Sequence, residues 1–267
     1  MAAKIGFIGA GKMAEALIAG LIAKGVFDKD EIVACAPSQK TRSHMCQTYG
    51  IEMFATASEV ASRSDMLVLA VKPKQVEQVF ISENTVPLKG AIVVSVVAGL
   101  TISKLKTYVP DCKIVRVMPN HCVAVLEGAM GYTTDGTLTD GEKESVGSIL
   151  GAVGVAVEIG EDQMDVITGL AGSSPAFMYM VIDAMADAGV LNGLRRDDAI
   201  RLAAQSMLGA AKMVLDTGKH PDVLRDEVCS PAGTTIEGVR AAEDMGLRSA
   251  TIAAIDAAVA KSKSMTR

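Results

Sequence analysis

Three short stretches of this chain carry residue types suited to holding anions. The first is Gly9, Gly11 and Ala14, a G-x-G-x-x-A pattern after the apolar run 4–8. Apolar positions at helical spacing follow: Met13, Ala16, Leu17, Gly20, Leu21 and Ala23. On a strand-to-helix turn, Gly9 permits the tight turn and Gly11 has no Cβ to hold a pyrophosphate off the backbone. Ala14 lets helix and strand pack closely. The helix N-terminus adds free N–H groups and a partial positive charge. A glycine-rich turn that binds nothing shares the pattern, but this position after a strand favours a dinucleotide.

The second stretch bears on which dinucleotide. NAD enzymes place an acid about 20 positions past the glycines, on the ribose 2′-hydroxyl. Here no acid follows the apolar run 31–36 until Glu52. Ser38, Lys40 and Arg42 stand there instead, a hydroxyl and two cations that suit a 2′-phosphate. The expectation is NADP; the same charges also suit the solvated start of a helix. The third stretch, "SPAGTT" from Ser230 to Thr235, puts small and hydroxyl residues ahead of a helix, the build of an anion-binding N-terminus. An ordinary capped helix start looks the same.

The elements that would position these residues alternate at first. Near-continuous apolar runs at 31–36, 64–71, 91–99 and 112–118 read as strands buried on both faces of a parallel sheet. Amphipathic stretches at 38–49, 58–63, 74–80 and 103–109 fall between them. "AMGYTT" and "GVAVEIG" add candidate strands around a helix at 140–150. "AVKP" and "RVMPN" end strands at the carboxyl edge, where such sheets bind ligands.

After Gly160 the β-branched runs stop and helices follow one another: one from Pro175 with Ser173 or Ser174 as cap, then 195–217 ended by Gly218, 220–228, one begun by Pro231, and 246–265. The helix after Pro175 is apolar nearly all round, Asp183 and Asp187 apart, so it belongs in a bundle or between subunits. The fold class is α/β: a doubly wound Rossmann-type sheet over 1–160, then an all-α dimerisation domain over 161–267, too thin in core to stand alone.

Composition narrows the partners. Apolar residues are 49% and aromatics 3%, with no Trp and 15 Met, so the core is aliphatic and thioether. Net charge is −5 with no basic block or aromatic platform, which argues against nucleic acid. The longest uncharged stretch, between Asp165 and Asp183, falls short of the roughly 20 apolar residues that span a bilayer, so no membrane partner is expected. Cys35, Cys46, Cys112, Cys122 and Cys229 are scattered without C-x-x-C, which suits reduced thiols in a cytoplasmic compartment and no metal site.

Taken together, "GFIGAGKMA", "AVKP", "VVAG", "RVMPN", "DVITGLAGSSPA" and "LRDEVCSPAGTTIEG" make the chain resemble pyrroline-5-carboxylate reductases over essentially its whole length. The resemblance implies reduction of L-1-pyrroline-5-carboxylate to L-proline by NADPH or NADH. It also implies a homodimer through the C-terminal helices, in some members a ring of dimers. Carried over by position, it makes cofactor contacts of Ile8, Gly9, Ala10, Gly11, Lys12, Met13, Ser38, Ala70, Val71, Lys72, Pro73, Val96, Val97, Ala98 and Asn120. It makes Ser230, Gly233, Thr234 and Thr235 the cradle for the substrate, a cyclic imino acid, with Glu161 an acidic position near it. Thr235 is the expected catalytic residue, its hydroxyl on the ring nitrogen. The chain departs from the usual pattern at Ser174, at Ala232 and at His121-Cys122. A protonated cyclic imine accepts hydride readily, so neither a covalent nucleophile nor a His or Lys acid is required. Two other readings stay open: a β-hydroxyacid-type dehydrogenase, disfavoured because 175–190 has no Lys, and a dinucleotide-binding scaffold without turnover.

Overall fold

The computed structural model describes residues 3–81, 88 and 90–265. Among the described residues, eight strands form one sheet: β1 (Ala3–Ile8), β2 (Ile32–Cys35), β3 (Glu52–Phe54), β4 (Ser64–Leu69), β5 (Ile92–Ser95), β6 (Lys113–Met118), β7 (Gly128–Thr134) and β8 (Gly154–Glu158). Their order is β3-β2-β1-β4-β5-β6-β7-β8. All neighbours from β3 to β6 are parallel, β7 is antiparallel to β6, and β8 is parallel to β7. The strand order therefore reverses beside β1, which carries the glycine turn at its end. Alternate residues enter separate cores: Ile5, Phe7, Ala34, Val68 and Val94 on one face, Ile8, Val33, Leu67, Leu69 and Val93 on the other. Burial on both faces is why these strands read as unbroken apolar runs.

Among the described residues, six α-helices connect the strands: α1 (Lys12–Ala23), α2 (Gln39–Tyr49), α3 (Ala57–Ala61), α4 (Val76–Ile81), α5 (Ile102–Tyr108) and α6 (Asp140–Gly151). Ser38, Thr56, Thr101 and Thr139 cap α2, α3, α5 and α6 with their side chains.

Helical segments follow: α7 (Met164–Ile167), a π-helical run Thr168–Ser173, α8 (Ser174–Leu191), α9 (Arg196–Thr217), α10 (Pro221–Val228), α11 (Thr234–Asp244) and α12 (Leu247–Met265). Two expectations change here. Ser173 and Ser174 do not cap a new helix, because Ser173 is already helical and makes no side-chain cap bond; the chain enters α8 from the π run. Pro231 does not begin α11: Ala232 turns left-handed at φ 56, Gly233 is the N-cap, and the helix starts at Thr234.

By packing, the chain forms two compact units: Met1–Gly172 with Ala258–Arg267, and Ser173–Ala257. In the second, α8 meets α9 closely at Gly189, where a Cβ would lie 3.0 Å from Ala199 Cβ. Its buried side chains among the described residues are the small ones of Ala186, Ala199 and Ala203. Tyr179, Met180, Leu191, Leu202, Leu208 and Leu215 are exposed. The stretch Glu161–Leu191 is, by length and composition alone, long and apolar enough to cross a bilayer, unlike the shorter uncharged stretch read from sequence.

Candidate functional site

The glycine turn lies where strand order reverses. Gly9 has φ 99, and a Cβ there would come 2.7 Å from the Ala70 carbonyl oxygen, so the backbone at the end of β1 runs hard against that at the end of β4. Gly9 N–H donates to Cys35 O (3.2 Å) and Ala70 N–H to Ile8 O (2.9 Å), joining three strand ends. Gly11 differs from Gly9. Its backbone is extended (φ −80, ψ −177), and a Cβ would meet nothing within 4 Å. The glycine there keeps open an approach that the fold itself does not fill. Gly11 is also the N-cap of α1 and offers no side-chain bond, in contrast with the capped α2, α3, α5 and α6. The first-turn amides of α1, from exposed Lys12 and half-buried Met13 onward, therefore receive no acceptor from the N-cap side chain, and a diphosphate suits them. Buried Ile8, Ala10 and Ala14 hold the turn from behind.

At the end of β2, Ser38 Oγ accepts the Thr41 N–H (3.4 Å), and Arg42 Nη1 donates to the carbonyls of Ala36 (2.6 Å) and Pro37 (2.8 Å). The stretch has two local features. It starts a helix, and it also fixes a guanidinium and a hydroxyl at the strand end, with Lys40 exposed beside them.

Past β4, Ala70 and Val71 are half-buried and Lys72 and Pro73 exposed. Val96 N–H donates to Leu69 O (3.1 Å), which brings the residues after β5 to the same edge. Val97 is buried and Ala98 exposed, so Val97 can present only its backbone there. Asn120, which the resemblance makes a cofactor contact, follows β6. It is buried, its Oδ1 accepts the N–H groups of Cys122 (3.1 Å) and Ala129 (3.3 Å), and its Nδ2 donates to Ala171 O (3.1 Å). Its side chain ties the strand end to a carbonyl of the π run.

Sequence reasoning missed Arg116, in β6. It is buried, and its Nη1 donates to Glu161 Oε1 (3.0 Å), which also accepts the Ile102 N–H (2.7 Å). A buried guanidinium needs such a partner. An arginine inside an apolar strand was the available signal.

In the helical unit, Ser230 O accepts the Gly233 N–H (3.0 Å), and a Cβ on Gly233 would lie 2.2 Å from Ser230 Oγ. This tight turn feeds α11, whose N-terminus also has no side-chain cap. Thr234 is exposed and Thr235 half-buried. A cavity of about 510 Å³ elsewhere in this unit is lined by Arg225, Val239, Glu243, Leu247, Arg248 and Ile252; the 230–235 turn does not line it. His220, a lone histidine of the sequence, caps α10 by accepting the Asp222 N–H at Nδ1 (3.2 Å).

Residues 161–265 match the family model described as pyrroline-5-carboxylate reductase dimerisation, and residues 4–99 that described as NADP oxidoreductase, coenzyme F420-dependent. A pyrroline-5-carboxylate reductase of Escherichia coli is 41% identical over 100% of both chains, and one of Arabidopsis thaliana 39% identical over 99% of this chain and 96% of its own. Among solved structures, a pyrroline-5-carboxylate reductase of Coxiella burnetii superposes with TM-score 0.92 at 32% identity, covering 100% of both chains. The Plasmodium falciparum pyrroline carboxylate reductase, solved with NADP bound, superposes with TM-score 0.85 at 31% identity, covering 99% of this chain and 98% of its own.

Proposed function

The chain belongs to the pyrroline-5-carboxylate reductase family, and from that premise we infer how its own residues serve the reaction. It is an oxidoreductase that reduces L-1-pyrroline-5-carboxylate to L-proline, with NADP as cofactor. The observation that carries this reading is the match along the whole chain, joined to a diphosphate-type turn whose helix lacks a side-chain cap.

Bound NADPH supplies the hydride. The turn Gly9–Met13 offers its amides to the diphosphate, and Ser38, Lys40 and Arg42 face the 2′-phosphate, which makes NADH the weaker donor. Ala70–Pro73 and Val96–Ala98 would form the edge that holds the nicotinamide half. We take 1–160 as the dinucleotide domain and 161–267 as the helical domain, a division that the match over 161–265 supports, although by packing the compact units divide between Gly172 and Ser173 and Ala258–Arg267 joins the first.

The substrate arrives as a protonated cyclic imine, and its nitrogen already carries the proton that the product amine needs. The amides of Thr234 and Thr235 hold the carboxylate at the N-terminus of α11, with Ser230 and Gly233 shaping the turn. The Thr235 hydroxyl oxygen accepts a hydrogen bond from the imine N–H and fixes the orientation of the ring. These residues bind and orient; the hydride chemistry is the cofactor's.

The exposed apolar face of α8, together with the dimerisation match over 161–265, supports a homodimer, with a ring of dimers as the larger assembly. The site of action is cytoplasmic. Sedimentation at micromolar concentration should give a dimer or a multiple of it; a well-folded monomer would sink this part. The catalytic reading is tested by NADPH oxidation with pyrroline-5-carboxylate, pyrroline-2-carboxylate and a β-keto acid. Turnover is expected with the first. Turnover with the keto acid alone, or NADPH binding without turnover, would overturn it.

A further inference from the structure

The turn from Ser95 to Ile102 is pinned at both ends. At its entry Ser95, fully buried, accepts the Val97 N–H at Oγ (3.4 Å). At its exit Thr101 caps α5 by accepting the Lys104 N–H (3.2 Å), and Ile102, the first residue of that helix, donates its N–H to Glu161 Oε1 (2.7 Å). The same oxygen accepts Arg116 Nη1 (3.0 Å), and Arg116 is the direct register partner of Ser95 across β5 and β6. Between the pins lie Val96, Val97 and Ala98, then Gly99 at φ 73. Glu161 itself comes from the short 3-10 turn after β8, so one carboxylate joins three separate parts of the sheet unit.

We propose that Glu161 is a positioning residue that holds the 96–101 turn against the cofactor, and not a ligand of the imine. Its charge already faces a buried guanidinium on one side and a helix N-terminus on the other. A second cation would gain little from it. Arg116 cannot swing away to release it, because its strand is buried in the sheet. The proposal rests on the reading of Val96–Ala98 as a cofactor edge. That reading is checked separately by whether the wild-type chain binds NADPH and turns over the imine.

Glu161→Gln keeps an oxygen that can accept both N–H groups and removes the charge; Glu161→Ala removes both. Thr101→Ala loosens the same end of α5 without touching Glu161. The readouts are hydrogen exchange at the Ile102 amide, NADPH Kd by titration, and kcat with KM for each substrate. Both alanine variants should speed exchange at the start of α5; Glu161→Ala should raise the NADPH Kd by roughly tenfold, the effect of one lost hydrogen bond to a charged group, and Thr101→Ala, which loses a neutral cap bond, by roughly fivefold. The imine KM should stay within about twofold on the same reasoning, and Glu161→Gln should restore the NADPH Kd to within about threefold. An imine KM raised tenfold or more in Glu161→Gln, at unchanged NADPH Kd, would make Glu161 a substrate ligand and overturn the proposal. Faster exchange in Thr101→Ala at an unchanged NADPH Kd would overturn it too, because the order of this turn would then not matter to the cofactor. Should Glu161→Ala fail to fold, the other two variants still decide.

Discussion

Replacing Gly11 by alanine should separate the fold of the nucleotide turn from its use. The backbone there is extended and a Cβ would touch nothing within 4 Å, so the variant should fold. Alanine is a poorer N-cap than glycine by about 0.5–1 kcal/mol, which in a unit of this size lowers Tm by about 1–4 °C. On the proposed cofactor placement, the same methyl stands in the space of the diphosphate. Loss of one amide-to-phosphate hydrogen bond, at about 1.5–3 kcal/mol, raises the NADPH Kd roughly 10- to 150-fold. The chain has no Trp, so the titration should follow the fluorescence of NADPH itself. Gly9→Ala is the contrasting variant: φ 99 and a Cβ 2.7 Å from Ala70 O make it a folding lesion, with about 1–2 kcal/mol from the left-handed backbone alone. A Gly11→Ala protein that binds NADPH within threefold of wild type would refute this placement of the diphosphate.

Thr235→Ala should lower kcat/KM for the imine roughly tenfold to a hundredfold and leave the NADPH KM unmoved; a lower Tm with unchanged imine kinetics would leave Thr235 a purely structural residue. Arg42→Ala should raise the NADPH KM at least about tenfold, with only a small NADH effect from the lost bonds to Ala36 and Pro37; equal losses with both cofactors would show that Arg42 does not read the 2′-phosphate. The hydrogen bonds from Lys113 Nζ (2.6 and 2.7 Å) and from the Thr139 N–H bring Glu142 from 4.5 down to about 2. Its contribution is therefore complete above pH 4.5 and lost as pH falls toward 2. Glu142→Gln should flatten the fall of Tm between pH 5 and 2, and an unchanged slope would assign acid lability to other groups.

Strands with both faces buried were legible because most positions are apolar, Ser95 and Arg116 being exceptions. β3 was not: it has three residues, lies at the sheet edge and is half-exposed, so no pattern could build up. The Gly-rich run before α8 resembles a loop with a serine cap, yet it is π-helical, and the Ala171 carbonyl finds a partner in Asn120, 51 residues away. Pro231 suggested a helix start under a sound local rule, but Ala232 in the left-handed region delays the start by a turn. The Gly9 and Gly11 turn is local and could be read directly. The Arg116–Glu161 pair joins residues 45 apart, and neither has a neighbour in sequence that announces the other.

The wet apolar surface of the longest helical stretch has a thermodynamic consequence. Only 6% of its most apolar 18-residue window is buried within one chain. On the proposed pairing, that surface is covered only when two chains meet, so much of what holds the helical unit together is bimolecular. Dilution then acts as a denaturant. Each tenfold drop in protomer concentration removes about 1.4 kcal/mol from the folded assembly, and Tm becomes a property of the amount of protein present as much as of its sequence.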